Sequence, residues 1–259
     1  MDQTFIKGLR VLELLCFSPE PRGVTSLANE CGLTKSNVHR VLTTLVATGY
    51  AKRKEENGTY ELTSKIWELG LNVQSRFDLA KVAARTMQQL ADATNESIHL
   101  SILDELEVLY IDKIESQQPI KSYTRIGGRA PAWCVATGKS MLAAKNMDVS
   151  VIAKRFEKFT STTITDKTRL HSEFATIRNK GFAVNRGEWR ENVFGIASAI
   201  TDASGEVIGA IGISGPGTRF KSKQIKAWAE LVVVAARDIS QQFGGGKPRP
   251  SAIKKDQKR

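Results

Sequence analysis

The stretch WCVATGKS at residues 133–140 ends in Gly138-Lys139-Ser140, the three residues that close a phosphate-binding P-loop. That chemistry also needs a glycine five positions before the glycine-lysine pair, so that backbone amides can curl around the phosphates. Trp133 occupies that position, no evident parallel core strand precedes the segment, and no acidic strand end is at hand to hold magnesium. Nucleotide hydrolysis is therefore excluded as a reading. Gly138-Lys139-Ser140 reads instead as a helix start, with glycine for close packing and lysine in solvent. Ala136 and Thr137 fall where the free N–H groups and positive dipole end of that helix favour an anion such as a carboxylate. Cys134 shares the loop but has no base partner to activate it. The other cysteines, Cys16 and Cys31, read as small buried side chains. With three cysteines, three histidines and no CxxC pair, the chain implies no metal, no cofactor and no catalytic constellation.

A second concentration of polar groups lies near the N-terminus: Lys35, Ser36, Asn37, His39, Arg40 and Thr43 share one face of a segment whose other face is Val38, Val41, Leu42, Leu45 and Val46. Thr34 can cap this helix. Before it, Thr25 can cap a shorter one burying Leu27, Ala28 and Cys31, and Gly32 can take the positive φ that turns the chain. Such a pair presents its second helix to a major groove. A preceding helix with Phe5, Leu9, Leu12 and Cys16 at helical spacing, broken by SPEP, completes the support. Two β-prone arms around Asn57-Gly58 form a hairpin, the wing, and its Lys52, Arg53 and Lys54 suit phosphates. Residues 24–54 carry a local net charge of +4. Double-stranded DNA is the expected partner, bound through Thr34, Lys35, Ser36, Asn37, His39, Arg40, Lys52, Arg53 and Lys54.

The overall charge of +11 is unevenly spread, with +2 over residues 1–77, +4 over 78–243 and +5 over 244–259. The tail GGGKPRPSAIKKDQKR has helix breakers and almost nothing to bury, and is expected to be disordered. No apolar run reaches the roughly 18 residues that cross a bilayer, and the first residues lack the pattern of a signal peptide. A cytoplasmic protein that does not enter membranes is expected.

Beyond residue 77 the pattern changes. Leu79, Val82, Ala83, Thr86, Met87, Leu90 and Ala91 stripe a helix at 78–95 that can link two domains or pack within its own. SIHLSIL alternates, with Ile98, Leu100 and Ile102 on one face; LEVLYIDKI and IKSYTRI are strand-like, and GIASAITD and EVIGAIGIS flank a turn. Helices at about 137–156, 168–180 (closed by Gly181) and 222–243 would cover the sheet. Strands and helices mixed without repeated βαβ units favour an α/β (α+β) domain on an antiparallel sheet.

The order FIKGLRVLELL, VTSLANECGLTKSNVHRVLTTLVATGYAKR and NGTYELTSKIWELG resembles the winged helix of the IclR family of bacterial transcription regulators. The resemblance continues through RIGGRAPAWCVATGKSMLA, IRNKGFAVNRGEW and AITDASGEVIGAIGISGP, over residues 4–243. It implies a winged helix-turn-helix at 1–77, a linker helix at 78–95 and a GAF-like domain at 96–243. It also implies homodimers or homotetramers and a small effector, often an organic acid, in the C-terminal domain. Carried over residue by residue, the effector contacts are Ala136, Thr137, Asn185, Gly195, Gly212 and Ser214. Asn185, Gly195 and Gly212 stand where some family members place an acidic side chain, a cysteine and a serine, which removes polar groups and volume. A roomier pocket framed by Trp133 and Trp189, with Arg129 or Arg186 near the ligand's charge, would admit an aromatic acid. Two other readings stay open: a constitutive DNA-binding regulator with a degenerate pocket, and an enzyme acting on a small metabolite.

Overall fold

The computed structural model describes residues 2–74, 78–121 and 124–245. Two compact units divide the chain at Asp78.

In the first unit Asp2 caps helix α1 (Gln3–Phe17), its carboxylate accepting from the amides of Thr4 and Phe5. α1 turns Val11 and Leu15 into a core with Leu27, Val38, Leu42 and Tyr60, whereas Phe5, Leu9 and Cys16 of the expected stripe stand in solvent. Cys16 is thus not the buried side chain expected. Two apolar stripes run along this helix, and only packing against later elements chooses between them. Helix α2 (Val24–Cys31) is capped by Gly23 with no side-chain bond; Thr25 lies one residue inside the helix and is not its cap. Gly32, at φ 65°, turns the chain into α3 (Lys35–Ala47), whose first turn is capped by Thr34 Oγ1 accepting from the Asn37 amide at 3.3 Å. α3 buries Val38 and Leu42 fully and leaves Val46 exposed.

Strands β1 (Ala51–Arg53) and β2 (Tyr60–Leu62) pair antiparallel with Lys52 opposite Glu61. Asn57-Gly58 does not make a two-residue turn. Lys54 N–H donates to Thr59 O at 2.8 Å, so residues 55–58 form a four-residue loop closed by Gly58 at φ 67°. Helix α4 (Ser64–Gln74) follows.

The second unit begins with α5 (Asp78–Thr94), which buries Leu79, Ala83, Met87 and Leu90 in that unit's own core. Six strands form one antiparallel sheet: β3 (Ser97–Asp104), β4 (Glu107–Ile114), β5 (Arg129–Pro131), β6 (Ala183–Arg186), β7 (Val193–Thr201) and β8 (Val207–Pro216). Their spatial order is β5-β4-β3-β8-β7-β6. On one face Ile98, Leu100, Ile196, Ile211 and Ile213 pack with α5 and α9 (Ser222–Gln242). The other face meets α6 (Ala136–Ala144), α7 (Val149–Ala153) and α8 (Lys167–Lys180), with Met141, Leu142, Ile152 and Phe174 in the core. Because side chains alternate along a strand, Ile98 and Leu100 on one face dictate that His99 points to the other, toward α6.

Three expectations change here. The helix expected at 137–156 is two, α6 and α7, separated where Asn146 adopts a left-handed φ of 51°. Residues 120–126 form no strand among those described, residues 122 and 123 lying outside, and the edge strand is the unanticipated Arg129–Pro131. Gly244 and Gly245 of the tail are fastened by bonds from their amides to Gln241 O and Ser240 O; the rest of the tail lies outside the described residues.

Candidate DNA-reading face and ligand cavity

At the start of α3 the cap by Thr34 orients a first turn from which Lys35, Ser36, His39 and Arg40 project into solvent, with Asn37 half-buried. Thr43 Oγ1 is committed to His39 O at 2.9 Å. The core beneath is Val38 and Leu42, so these polar groups carry no packing role. On the wing Lys52 and Lys54 both pair with Glu61, at 3.0 and 3.3 Å, which holds the Glu61 carboxyl below its ordinary pKa. Glu61 was not anticipated. Its signal was the strand register, which sets it directly opposite Lys52. Arg53 projects into solvent from the same arm, its guanidinium lying beside Gly58.

In the second unit a cavity of about 40 Å³ opens between the N-terminus of α6 and the sheet. By the yardstick for buried water, this is room for about three water molecules. Ala136, Thr137, Asn185, Trp189, Gly195, Gly212 and Ser214 of the expected set line it. The register explains their meeting: Asn185 pairs with Gly195 and Gly195 with Ser214 across β6, β7 and β8, while His99 pairs with Gly212. Val135 supplies no side-chain cap to α6, so its first-turn N–H groups are left for another acceptor.

Several lining residues were not anticipated, chiefly His99, Tyr110, Thr124 and Arg190. Alternation in SIHLSIL placed His99 opposite the apolar face, which was the available signal. His99 Nε2 lies 2.5 Å from Ser214 Oγ, and Nδ1 lies 3.1 Å from Thr124 Oγ1. Burial, with the Lys113 charge adding to it, lowers the His99 pKa to about 3, so its ring is neutral. Burial likewise raises the Tyr110 phenol to about 12. No carboxylate lines the cavity among the described residues; its positive influences are the helix start and Arg190, which stacks 4.5 Å over the Trp189 ring.

Other expected members are elsewhere. Trp133 is a core side chain against Phe156 and Phe159, because the short turn Ala132–Cys134 points it under the sheet. Arg129, on edge strand β5, pairs with Asp104 at 2.6 Å and Glu107 at 3.3 Å. It lines an outer cleft of about 210 Å³ that shares Tyr110, Thr124, Trp189 and Arg190 with the inner cavity. Arg186 is exposed and lines neither space. The glycines do not enlarge the cavity. A Cβ on Gly212 would stand 2.9 Å from both Ala197 Cβ and Thr137 Cγ2, and one on Gly195 would stand 3.1 Å from Ile213 O and 3.6 Å from Ala136 Cβ. They let the sheet approach α6 rather than open space.

Lys139 overturns the expectation of a solvent lysine. Its side chain is 0 % exposed, bonded to Glu188 at 2.8 Å and Glu173 at 3.0 Å. Gly138 is a contact point as expected, since a Cβ there would stand 2.2 Å from Ala132 O. Burial pushes the Cys134 thiol up to about 12, which keeps it protonated.

Comparison with known proteins converges. The profile of the IclR helix-turn-helix domain matches residues 5–55, and that of the bacterial transcriptional regulator IclR C-terminal domain matches residues 71–241. The HTH-type transcriptional regulator KdgR of Escherichia coli K12 is 34 % identical over 241 residues, covering 91 % of this chain and 92 % of the relative. The solved Thermotoga maritima IclR superposes with a TM-score of 0.78 at 27 % identity, over 95 % of this chain and 100 % of that one. An IclR homolog from Microbacterium hydrocarbonoxydans, complexed with 4-hydroxybenzoate, shares the fold at a TM-score of 0.82 and 23 % identity, covering 93 % and 99 %. With a helix-turn-helix unit followed by a C-terminal sheet domain, this chain belongs to the IclR family of transcriptional regulators.

Proposed function

We propose that the chain binds operator DNA through α3 and the wing and responds to a small organic acid seated in the cavity of the second unit. The observation that carries the ligand reading is the uncapped first turn of α6, facing a carboxylate-free cavity beside Arg190. Helix-start amides and a nearby guanidinium favour a carboxylate. The Tyr110 phenol, and whichever of the Ser214 and Thr124 hydroxyls receives the hydrogen bond of the neutral His99 ring, supply donors for a second oxygen. A compact acid fits the inner cavity; a larger one, such as the 4-hydroxybenzoate of the Microbacterium relative, would extend past Trp189 into the outer cleft near Arg129. A thermal-shift panel of short hydroxy and oxo acids, dicarboxylates and 4-hydroxybenzoate tests this, because a ligand selective for the folded state raises stability. If no acid stabilises the protein, the second reading, a constitutive regulator with a closed cavity, replaces it; the small inner volume is what favours that reading.

On the DNA side, Ser36, Asn37, His39 and Arg40 are the residues for reading bases and Lys35, Lys52, Arg53 and Lys54 for holding phosphates. Selection of bound sites from a random DNA pool checks the division. Asn37→Ala or Arg40→Ala should change the selected sequence, whereas Arg53→Ala should weaken all sequences alike and flatten the salt dependence. The exposed apolar side chains Phe5, Ile6 and Leu9 of α1 support pairing of two copies through this unit. Sedimentation of Phe5→Asp should show a smaller assembly than the parent.

A further inference from the structure

We infer that Lys139 is a positioning residue for the ligand cavity: its buried ammonium clamps the segment 185–190, which walls that cavity, onto helix α6. This rests on the reading of the cavity as the effector site. A lysine at 0 % exposure is costly unless paired, and apolar replacements of such groups are often neutral or stabilising. Stability alone therefore gives little reason for it, and the geometry supplies another. Gly138 presses against Ala132, so the start of α6 has no slack on that side. The next residue, Lys139, reaches Glu188 Oε1 at 2.8 Å and is steadied by Glu173 at 3.0 Å from α8.

Glu188 is the hub of the wall. Its amide donates to Asn185 Oδ1 at 2.9 Å, and Asn185 Nδ2 in turn donates to Val193 O at 3.1 Å. Its carbonyl accepts from Thr163 Oγ1 at 2.6 Å, and the neighbouring Gly187 carbonyl accepts from Thr160 Oγ1 at 2.7 Å. Asn185 on one side and Trp189 and Arg190 on the other all line the cavity. Glu188 Oε2, buried, has no partner among the described residues, so Lys139 is the cation that keeps this carboxylate inside. Without it the carboxylate would draw the wall outward to water, taking Arg190 away from the helix start.

The test separates clamp from filler. In the full chain, Lys139→Met leaves Glu188 uncompensated, whereas the double variant Lys139→Met with Glu188→Leu removes the charges while keeping an apolar fill. We expect the double variant to regain most of the thermal stability that Lys139→Met loses. In both, the amides of 186–191 should exchange with deuterium at least about tenfold faster than in the parent while β3 and β4 stay unchanged. Should Lys139→Met fail to fold, Glu188→Gln carries the same exchange prediction. Parent-like exchange at 186–191 in the folded variants overturns the inference, and so does acceleration spread evenly over the unit, the mark of a merely structural pair. The acid panel adds a second arm, in which an acid that stabilises the parent should shift the double variant by less than half as much. If no acid shifts the parent, the cavity reading fails on its own while exchange still decides the clamp.

Discussion

In the N-terminal unit Lys35, His39 and Arg40 stand in solvent above Val38 and Leu42; in the C-terminal unit Lys139, Glu188 and His99 lie inside the core, Lys139 bonded to Glu188 and His99 to Ser214. The first arrangement separates roles. Side chains proposed to meet DNA can change without disturbing packing, since the ligand is large and comes to the surface. The second arrangement merges them. A small ligand must be surrounded, so the groups around it are also packing groups, and each must find an internal partner or stay neutral. Perturbations of the exposed polar side chains of α3 should therefore act on binding alone, and perturbations around the cavity on binding together with stability.

The largest expected effect is at Gly138. Alanine there would put Cβ against the Ala132 carbonyl at 2.2 Å, a backbone contact that cannot rotate away. Chemical denaturation should show Gly138→Ala losing about 3 kcal/mol or more, confined to the C-terminal unit. Next is acid sensitivity. His99 titrates near 3 when folded and near 6.5 when not, so the unfolded chain takes up the proton first as pH falls. The stability from burying it neutral is fully present above about 6.5 and drains toward 3, costing about 2 kcal/mol at pH 5. His99→Gln should remove that part of the pH dependence, and a profile identical to the parent's would contradict the merged picture.

A smaller effect is expected at Thr34. Removing its cap by Thr34→Ala should cost about 1 kcal/mol, with Thr34→Ser close to the parent, and the C-terminal unit should not register either change. The smallest concerns Glu61. Its replacement by glutamine frees Lys52 and Lys54 for phosphates, so titrations at low salt should show a few-fold tighter binding to any duplex, fading as salt rises. Unchanged affinity would mean that the wing lysines do not meet DNA.

What was legible follows the same division. The Thr34 cap and with it the start of α3, the left-handed Gly32, the closure of α8 by Gly181, the buried pair Val38 and Leu42, and the limits of α8 and α9 depend on neighbours within a turn or two, so local rules sufficed. Gly23 rather than Thr25 as cap of α2 is the local exception, because backbone position decided where side-chain preference pointed one residue on. Nonlocal choices were not legible. Which stripe of α1 is buried depended on α3 and β2; Trp133 and Arg129 went to core and edge by the path of the chain before α6. Of the cavity, Ala136, Thr137, Asn185, Trp189, Gly195, Gly212 and Ser214 were recovered, six of them through the family's motif order. His99, Tyr110 and Arg190 were missed because they come from segments that only the sheet order β4-β3-β8-β7-β6 and the loop after β6 bring together.

The sequence by itself determined the helix-turn-helix, the Thr34 cap of its second helix and that helix's polar face, the antiparallel character of the second unit and the absence of a phosphate cradle at Trp133. Each follows from spacing, alternation or a single obligatory residue type. Only the tertiary structure decided that Gly195 and Gly212 close a gap rather than open one, and that Lys139 is an internal cation answering Glu188 from 49 residues away. The reason is physical: a side chain's charge and volume are written in the chain, but what it must neutralise or fill is set by whichever distant segment arrives beside it.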